Sequence, residues 1–176
     1  MKALEIAEKD SWGFLRETEV SALQWLVHLA IDGKVAPLFV NLGSGHGTSS
    51  LAMAEACPEA DIYSIDNNLW FMECERKAFN EAGRKQPHQF HSNSHDPDLV
   101  FEHGVDLIFV DADHRENEVR ADILKWFQYI RNKGIIAFHD YGHPNYPGVR
   151  IAVDELMDGQ EEILFTETIK AFRCTT

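Results

Sequence analysis

Two groups of residues in this chain have the types and spacing that chemistry requires. The first is the loop Asn41-Leu42-Gly43-Ser44-Gly45-His46-Gly47-Thr48. Glycines at this spacing let the chain turn sharply and let a ligand reach the backbone. Asp66 follows after about 20 residues, where an acid in a nucleotide-binding unit accepts hydrogen bonds from ribose hydroxyls. A phosphate-cradling loop would carry Lys, and none stands here. A dinucleotide fingerprint would put its third glycine at position 48, which is Thr. The second group is Asp111, Asp113 and His114, with His139, Asp140, Tyr141 and His143. Two carboxylates and an imidazole suit a divalent cation of mixed oxygen and nitrogen preference, such as Mg²⁺, Mn²⁺ or Zn²⁺. An imidazole beside such a site can take the proton of a weak hydroxyl nucleophile, and His114 is the first choice for that base, His143 the second.

These groups need a scaffold that brings loops distant in sequence to one edge. Helical spacing of Val20, Leu23, Leu26, Val27, Ala30 and Ile31 predicts a helix capped by Thr18 and ended by Gly33. The residues before it, including Trp12, Phe14 and Leu15, read as an arm within 1–18 packed on the domain. Strands are expected over Pro37–Leu42, Ile62–Asp66, Gln89–His91, Asp106–Asp111 and Ile135–His139. Helices are expected over about Thr48–Ala56, Leu69–Ala82, Asn117–Asn132 and Val149–Met157. Trp25 and Trp126 read as packing, and Trp70 and Phe71 either as packing or as a cover for a bound base. The last strands, Ile163–Thr166 and Ile169–Cys174, are too close for a crossover helix and should pair as an antiparallel hairpin. Alternating strands and helices mean an α/β fold, a doubly wound, mostly parallel sheet covered on both faces. Ligands of such sheets bind beyond the carboxyl ends of the strands, where the glycine loop, Asp111 and His139 all fall.

Composition narrows the function classes. A chain of 176 residues reads as one domain, 1–176, and 29 acidic against 16 basic residues leave a net charge of −13. No basic run offers phosphate contacts, which argues against nucleic acid and anionic membranes as partners. Lys2, Glu5, Glu8, Lys9 and Asp10 leave no apolar core for a signal peptide, and no apolar run approaches the roughly 20 residues of a membrane span. The cysteines Cys57, Cys74 and Cys174 are scattered and odd in number, as expected of free thiols in a cytoplasmic protein.

Leu38–Thr48, Ile62–Asp66, Val105–His114 and Gly134–Asp140 together resemble the class I S-adenosylmethionine-dependent methyltransferases, a Rossmann-like superfamily, over nearly the whole chain. The resemblance implies strand order 3-2-1-4-5-7-6 with the seventh strand antiparallel. It implies S-adenosylmethionine as cofactor, with Gly43, Gly45 and Gly47 against its methionine part, Asp66 on the ribose and Asn93 and Ser94 beside the adenine. Asn41, Ser44, Thr48, Asn67 and Asp111 are further candidate cofactor contacts. Family members usually carry Glu or Asp where this chain has Asn41, so one negative charge is missing. One branch of the O-methyltransferases holds a divalent metal through residues that match Asp111, His139 and Asp140, where that branch usually has Asp-Asn or Asp-Asp in place of His139-Asp140. The alternative is that these are loop residues capping the next helices. The expectation is methylation of a small-molecule substrate, on oxygen, with a metal-assisted route open. A catalytically silent cofactor-binding module and a nucleotide-binding α/β protein of another class stay open as rivals. The chain is short enough that a homodimer could complete its open site.

Overall fold

In a computed structural model, residues 2–9, 15–31, 33–101 and 104–175 are described. Seven strands form one sheet in the order β3-β2-β1-β4-β5-β7-β6. They are β1 (Leu38–Leu42), β2 (Asp61–Asp66), β3 (His88–His91), β4 (Val105–Val110), β5 (Ile130–Phe138), β6 (Glu161–Thr166) and β7 (Ile169–Arg173). The pairs from β3 through β5 are parallel, and β7 runs antiparallel to both β5 and β6. The expected topology and the terminal hairpin are both present. Every residue of β4 is buried, as befits a central strand covered on both faces.

Alternate residues of the central strands feed two cores. Phe39, Leu107, Phe109, Ile135 and Ala137 face α2 (Glu17–Ile31), α3 (Thr48–Ala56) and Ala78 and Phe79 of α4 (Leu69–Ala82). Val40, Leu42, Ile108, Val110, Ile136 and Phe138 face α5 (Glu116–Trp126) and α6 (Pro147–Leu156). The period of two along each strand thus places a helical layer on each side. No helix among the described residues is long and apolar enough to cross a membrane.

The arm packs on the domain as expected, and three other local expectations are corrected. Lys2–Lys9 of the arm forms a helix, α1, held to α3 by hydrogen bonds from the Lys2 and Ala3 N–H groups to the Glu55 carboxylate. Leu15 is buried, while Trp12 and Phe14 lie outside the described residues. Thr18 does not cap α2: the Arg16 carbonyl accepts the first helical bond from Val20, and Glu19 Oε2 reaches back to the Arg16 N–H at 2.9 Å. The helix expected to run to Asn132 ends at Trp126, because Ile130 pairs with Val105 in the sheet and Gly134 lies inside β5. Trp126 is fully buried, but Trp25 is 45 % exposed, since Leu23, Leu26 and Val27 already fill the inward face of α2.

Candidate active site

A cavity of about 990 Å³ opens at the carboxyl ends of the parallel strands. That volume suits a ligand with a second molecule beside it. One wall is the glycine loop. Gly43 has φ 89°, and a Cβ there would lie 2.0 Å from the Asp111 carbonyl oxygen. Gly47 has φ 84°, and its Cβ would lie 2.8 Å from Glu75 Cα of α4. Both positions therefore demand glycine for backbone packing before any ligand is considered. Asp66, at the end of β2, holds the loop in shape: its Oδ2 accepts from Ser44 N–H (2.8 Å) and Ser44 Oγ (2.9 Å). Beneath the loop, the buried Glu75 carboxylate accepts from Ser50, Ser64 and Gln89. Thr48 Oγ1 lines the cavity, buried and without a partner among the described residues, so it is free to meet a polar ligand atom.

The opposite wall is an acid–imidazole cluster. Asp111 N–H donates to Leu42 O and His139 N–H to Val110 O, so the sheet ladder continues past the strand ends and sets the two side chains abreast. Asp140 has φ 56°, a left-handed conformation that Asp tolerates better than most residues. His139 Nδ1 lies 3.1 Å from Asp111 Oδ1 and 3.2 Å from Asp140 Oδ2. His114 Nε2 lies 2.8 Å from Asp140 Oδ2 and 3.7 Å from Asp111 Oδ1. Ligating atoms of Asp111, His139 and Asp140 all fall within 4.8 Å of one another. Two hard oxygens and one imidazole nitrogen at that spacing fit a divalent cation.

The cluster shifts its own protonation. Burial disfavours a charged His114, but Asp111 and Asp140 outweigh it and raise the ring to about 9. Burial likewise opposes charge on His139, and the same carboxylates with Glu19 hold it well above its ordinary value. Asp140 is held well below the usual carboxylate range despite its burial, through His114 and His139. Glu19 belongs to the cluster too, at the start of α2. Its Oε2 is 3.3 Å from His139 Nε2, and its Oε1 accepts from Thr168 Oγ1 at 2.6 Å. Burial opposes its ionisation, yet His139, Thr168 and the Arg16 N–H bring its carboxyl down to about 2.

Rings close the rim. Tyr146 stacks on His114 with centroids 4.2 Å apart and on His143 at 4.9 Å. His46 meets Trp70 and Phe71 edge-on at 5.5 and 5.9 Å; Phe71 lines the cavity, while Trp70 is 53 % exposed. At the far end, Trp126 Nε1 donates to Ser94 O at 2.8 Å and so anchors the loop after β3. His95 of that loop sits between Glu118 and Asp122 of α5, and burial pushes the Asp122 carboxyl up to about 6.

Of the residues expected from sequence, Gly43, Ser44, Gly45, Thr48, Asp66, Asn67, Asn93 and Ser94 line this cavity. So do Asp111, His114, His139, Asp140 and His143. Asn41 and Gly47 do not. Asn41 lies buried below the loop, its Nδ2 donating to Gly43 O at 3.0 Å, and Gly47 serves the packing of the loop on α4. Sequence reading missed Glu19 and Tyr146. Glu19 sits in the first turn of a helix, where an acid is unremarked, and only the return of the β6–β7 turn brings Thr168 beside it.

Residues 40–141 match the family described as "Methyltransferase domain". The fold is similar to that of a Corynebacterium glutamicum protein (TM-score 0.79, 16% identity, 100% of this chain and 91% of that one). It is also similar to the O-methyltransferase TomG from Streptomyces achromogenes, involved in tomaymycin synthesis and solved with S-adenosylmethionine (TM-score 0.75, 19% identity, 99% and 88% covered). A segment of 51 residues is 41% identical to a tRNA (guanine-N(7)-)-methyltransferase of Mycobacterium tuberculosis. That segment is 29% of this chain and spans only 17% of the curated relative.

Proposed function

Since this chain belongs to the methyltransferase domain family, we propose that it is a class I S-adenosylmethionine-dependent enzyme that methylates an oxygen of a small acceptor beside a divalent cation held by Asp111, His139 and Asp140. The observation that carries this reading is the convergence of those three side chains on the cavity wall facing the glycine loop. Gly43, Ser44 and Gly45 bind the methionine part, Asp66 and Asn67 the ribose, and Asn93 and Ser94 the adenine. The methyl group arrives activated on sulfonium, so the protein's work is to hold an acceptor oxygen in line with it. The oxygen–carbon bond forms as the carbon–sulfur bond breaks, and the acceptor proton passes to His114 Nε2, with His143 as the second candidate base. A divalent cation held by Asp111, His139 and Asp140 would lower the acceptor's pKa and would offset the carboxylate charge that raises His114. The Tyr146 stack holds His114 in place and limits the water that reaches it.

The acceptor is small rather than a nucleic acid. The net charge is −13, and Asp66, Asp111, Asp113, Glu116, Glu118 and Asp140 line the cavity against Arg115 as its one fixed cation among the described residues, a balance that would repel a phosphate backbone. Formation of S-adenosylhomocysteine should be measured across a panel of small hydroxyl acceptors, with and without chelator. Turnover that chelator and Asp111→Ala both abolish is expected. Cofactor binding without turnover on any acceptor would instead favour a silent module, and turnover indifferent to chelator would remove the cation.

A further inference from the structure

We propose that Glu19 is a positioning residue of this centre, holding His139 with Nδ1 toward Asp111 and Asp140 and Nε2 turned away from them. The inference rests on the cation assignment made above. An imidazole offers two nitrogens, and the one that meets a metal is decided by what the other one faces. Here Nδ1 is 3.1 and 3.2 Å from the two carboxylates. Nε2 faces Glu19 Oε2 at 3.3 Å, off hydrogen-bond alignment, with no other polar neighbour at ion-pair distance among the described residues. An anion at that position favours a proton on Nε2 and leaves the Nδ1 lone pair for the cation.

Glu19 is fixed well enough to do this. Its side chain is 3 % exposed, so it cannot swing into water. Thr168 Oγ1 holds Oε1 at 2.6 Å, and the Arg16 N–H holds Oε2 at 2.9 Å. The turn that carries Thr168 is itself tied down, through Tyr141 N–H to Thr168 O (2.9 Å) and Arg16 to Glu167 (2.9 Å). Capping α2 would need the Arg16 contact alone; the approach to a buried imidazole adds a use that a cap does not explain.

The test titrates Co²⁺ into the full chain with S-adenosylhomocysteine present, following the visible d–d absorption, for wild type, Glu19→Gln, Thr168→Val and Asp111→Asn. Loss of an outer-shell partner typically weakens metal binding about 10–100-fold. That loss is expected for Glu19→Gln, with a smaller one for Thr168→Val and an altered Co²⁺ spectrum in both. S-adenosylhomocysteine affinity should hold, whereas a merely structural role would lower it together with the melting temperature. Equal Co²⁺ affinity in Glu19→Gln and wild type overturns the inference and leaves the cation site standing. If wild type takes up no Co²⁺, or Asp111→Asn takes up as much, the cation assignment fails and this inference with it. Should Glu19→Gln not fold, unchanged Co²⁺ binding in Thr168→Val overturns the proposal.

Discussion

Asp66 has two demands on one carboxylate. Its oxygens accept from Ser44 and from the Asn68 N–H (2.7 Å), which fixes the glycine loop, and the same group is the proposed ribose acceptor. Asp66→Ala should weaken S-adenosylhomocysteine binding at least tenfold, about 1.4 kcal/mol or more, by calorimetric titration; unchanged affinity would remove the assignment. The acid–imidazole cluster makes a second prediction, about pH. His114 is raised from 6.5 to about 9, so its stabilisation is full below pH 6.5 and is lost as pH climbs through about 9. Glu19 is lowered from 4.5 to about 2, so its share is present above pH 4.5 and is lost as pH falls toward 2. With chelator present, unfolding free energy should drop on the order of 2 kcal/mol between pH 6.5 and 9.5, after discounting for partial exposure of His114. His114→Gln should shrink that alkaline limb in denaturant titrations, leaving the part that His139, raised by the same carboxylates, contributes; a limb of undiminished size would place its origin elsewhere.

Among the elements, α3 and α4 approach most closely at Gly47. Gly47 caps α3 with φ 84° and lies against Glu75 of α4, so the loop, the helix it opens and the neighbouring helix meet where no side chain fits. Gly47→Ala puts a Cβ 2.8 Å from the Glu75 backbone in a left-handed conformation. The expected outcome is a loss of about 2 kcal/mol or more, together with weakened cofactor binding, since the loop must move; chemical denaturation and ligand titration read the two effects. Gly134 illustrates the opposite lesson. Its position after an apolar helical pattern reads as a helix stop, yet the chain has turned back into the sheet four residues earlier, at Ile130. Pairing of Ile130 with Val105, which no local pattern shows, overrides the spacing.

For the whole molecule, the parallel part of the sheet gathers the loops after β1, β2, β4 and β5 on one edge, where they line a single cavity. Thermal unfolding with S-adenosylmethionine, S-adenosylhomocysteine, NAD and ATP in parallel tests the cavity as a whole. Ligand at about 100 times its dissociation constant adds roughly 2.7 kcal/mol, a rise of roughly 5–10 °C for a chain of this size. The first two ligands should produce it and the other two should not. A rise with NAD or ATP instead would mean that the glycine loop serves a different nucleotide.

The sequence by itself determined what is local or periodic. Strand and helix alternation, the glycine loop and Asp66 closing β2 were legible, because each is written in consecutive residues or in a short period; the Asp111–His139–Asp140 set followed from the ends of two neighbouring strands taken with the family resemblance. The strand hairpin at the end followed from chain length alone. Only the tertiary structure decided what depends on contact between distant segments. It made Gly43 and Gly47 packing requirements, since Asp111 and Glu75 press on them from other elements. It buried Asn41 below the loop instead of in the cavity wall, and it ended α5 early by strand pairing. Above all it joined Glu19 to His139 and Thr168, residues 120 and 149 positions away in the chain. Their electrostatic contact exists only once the sheet has closed the path between them.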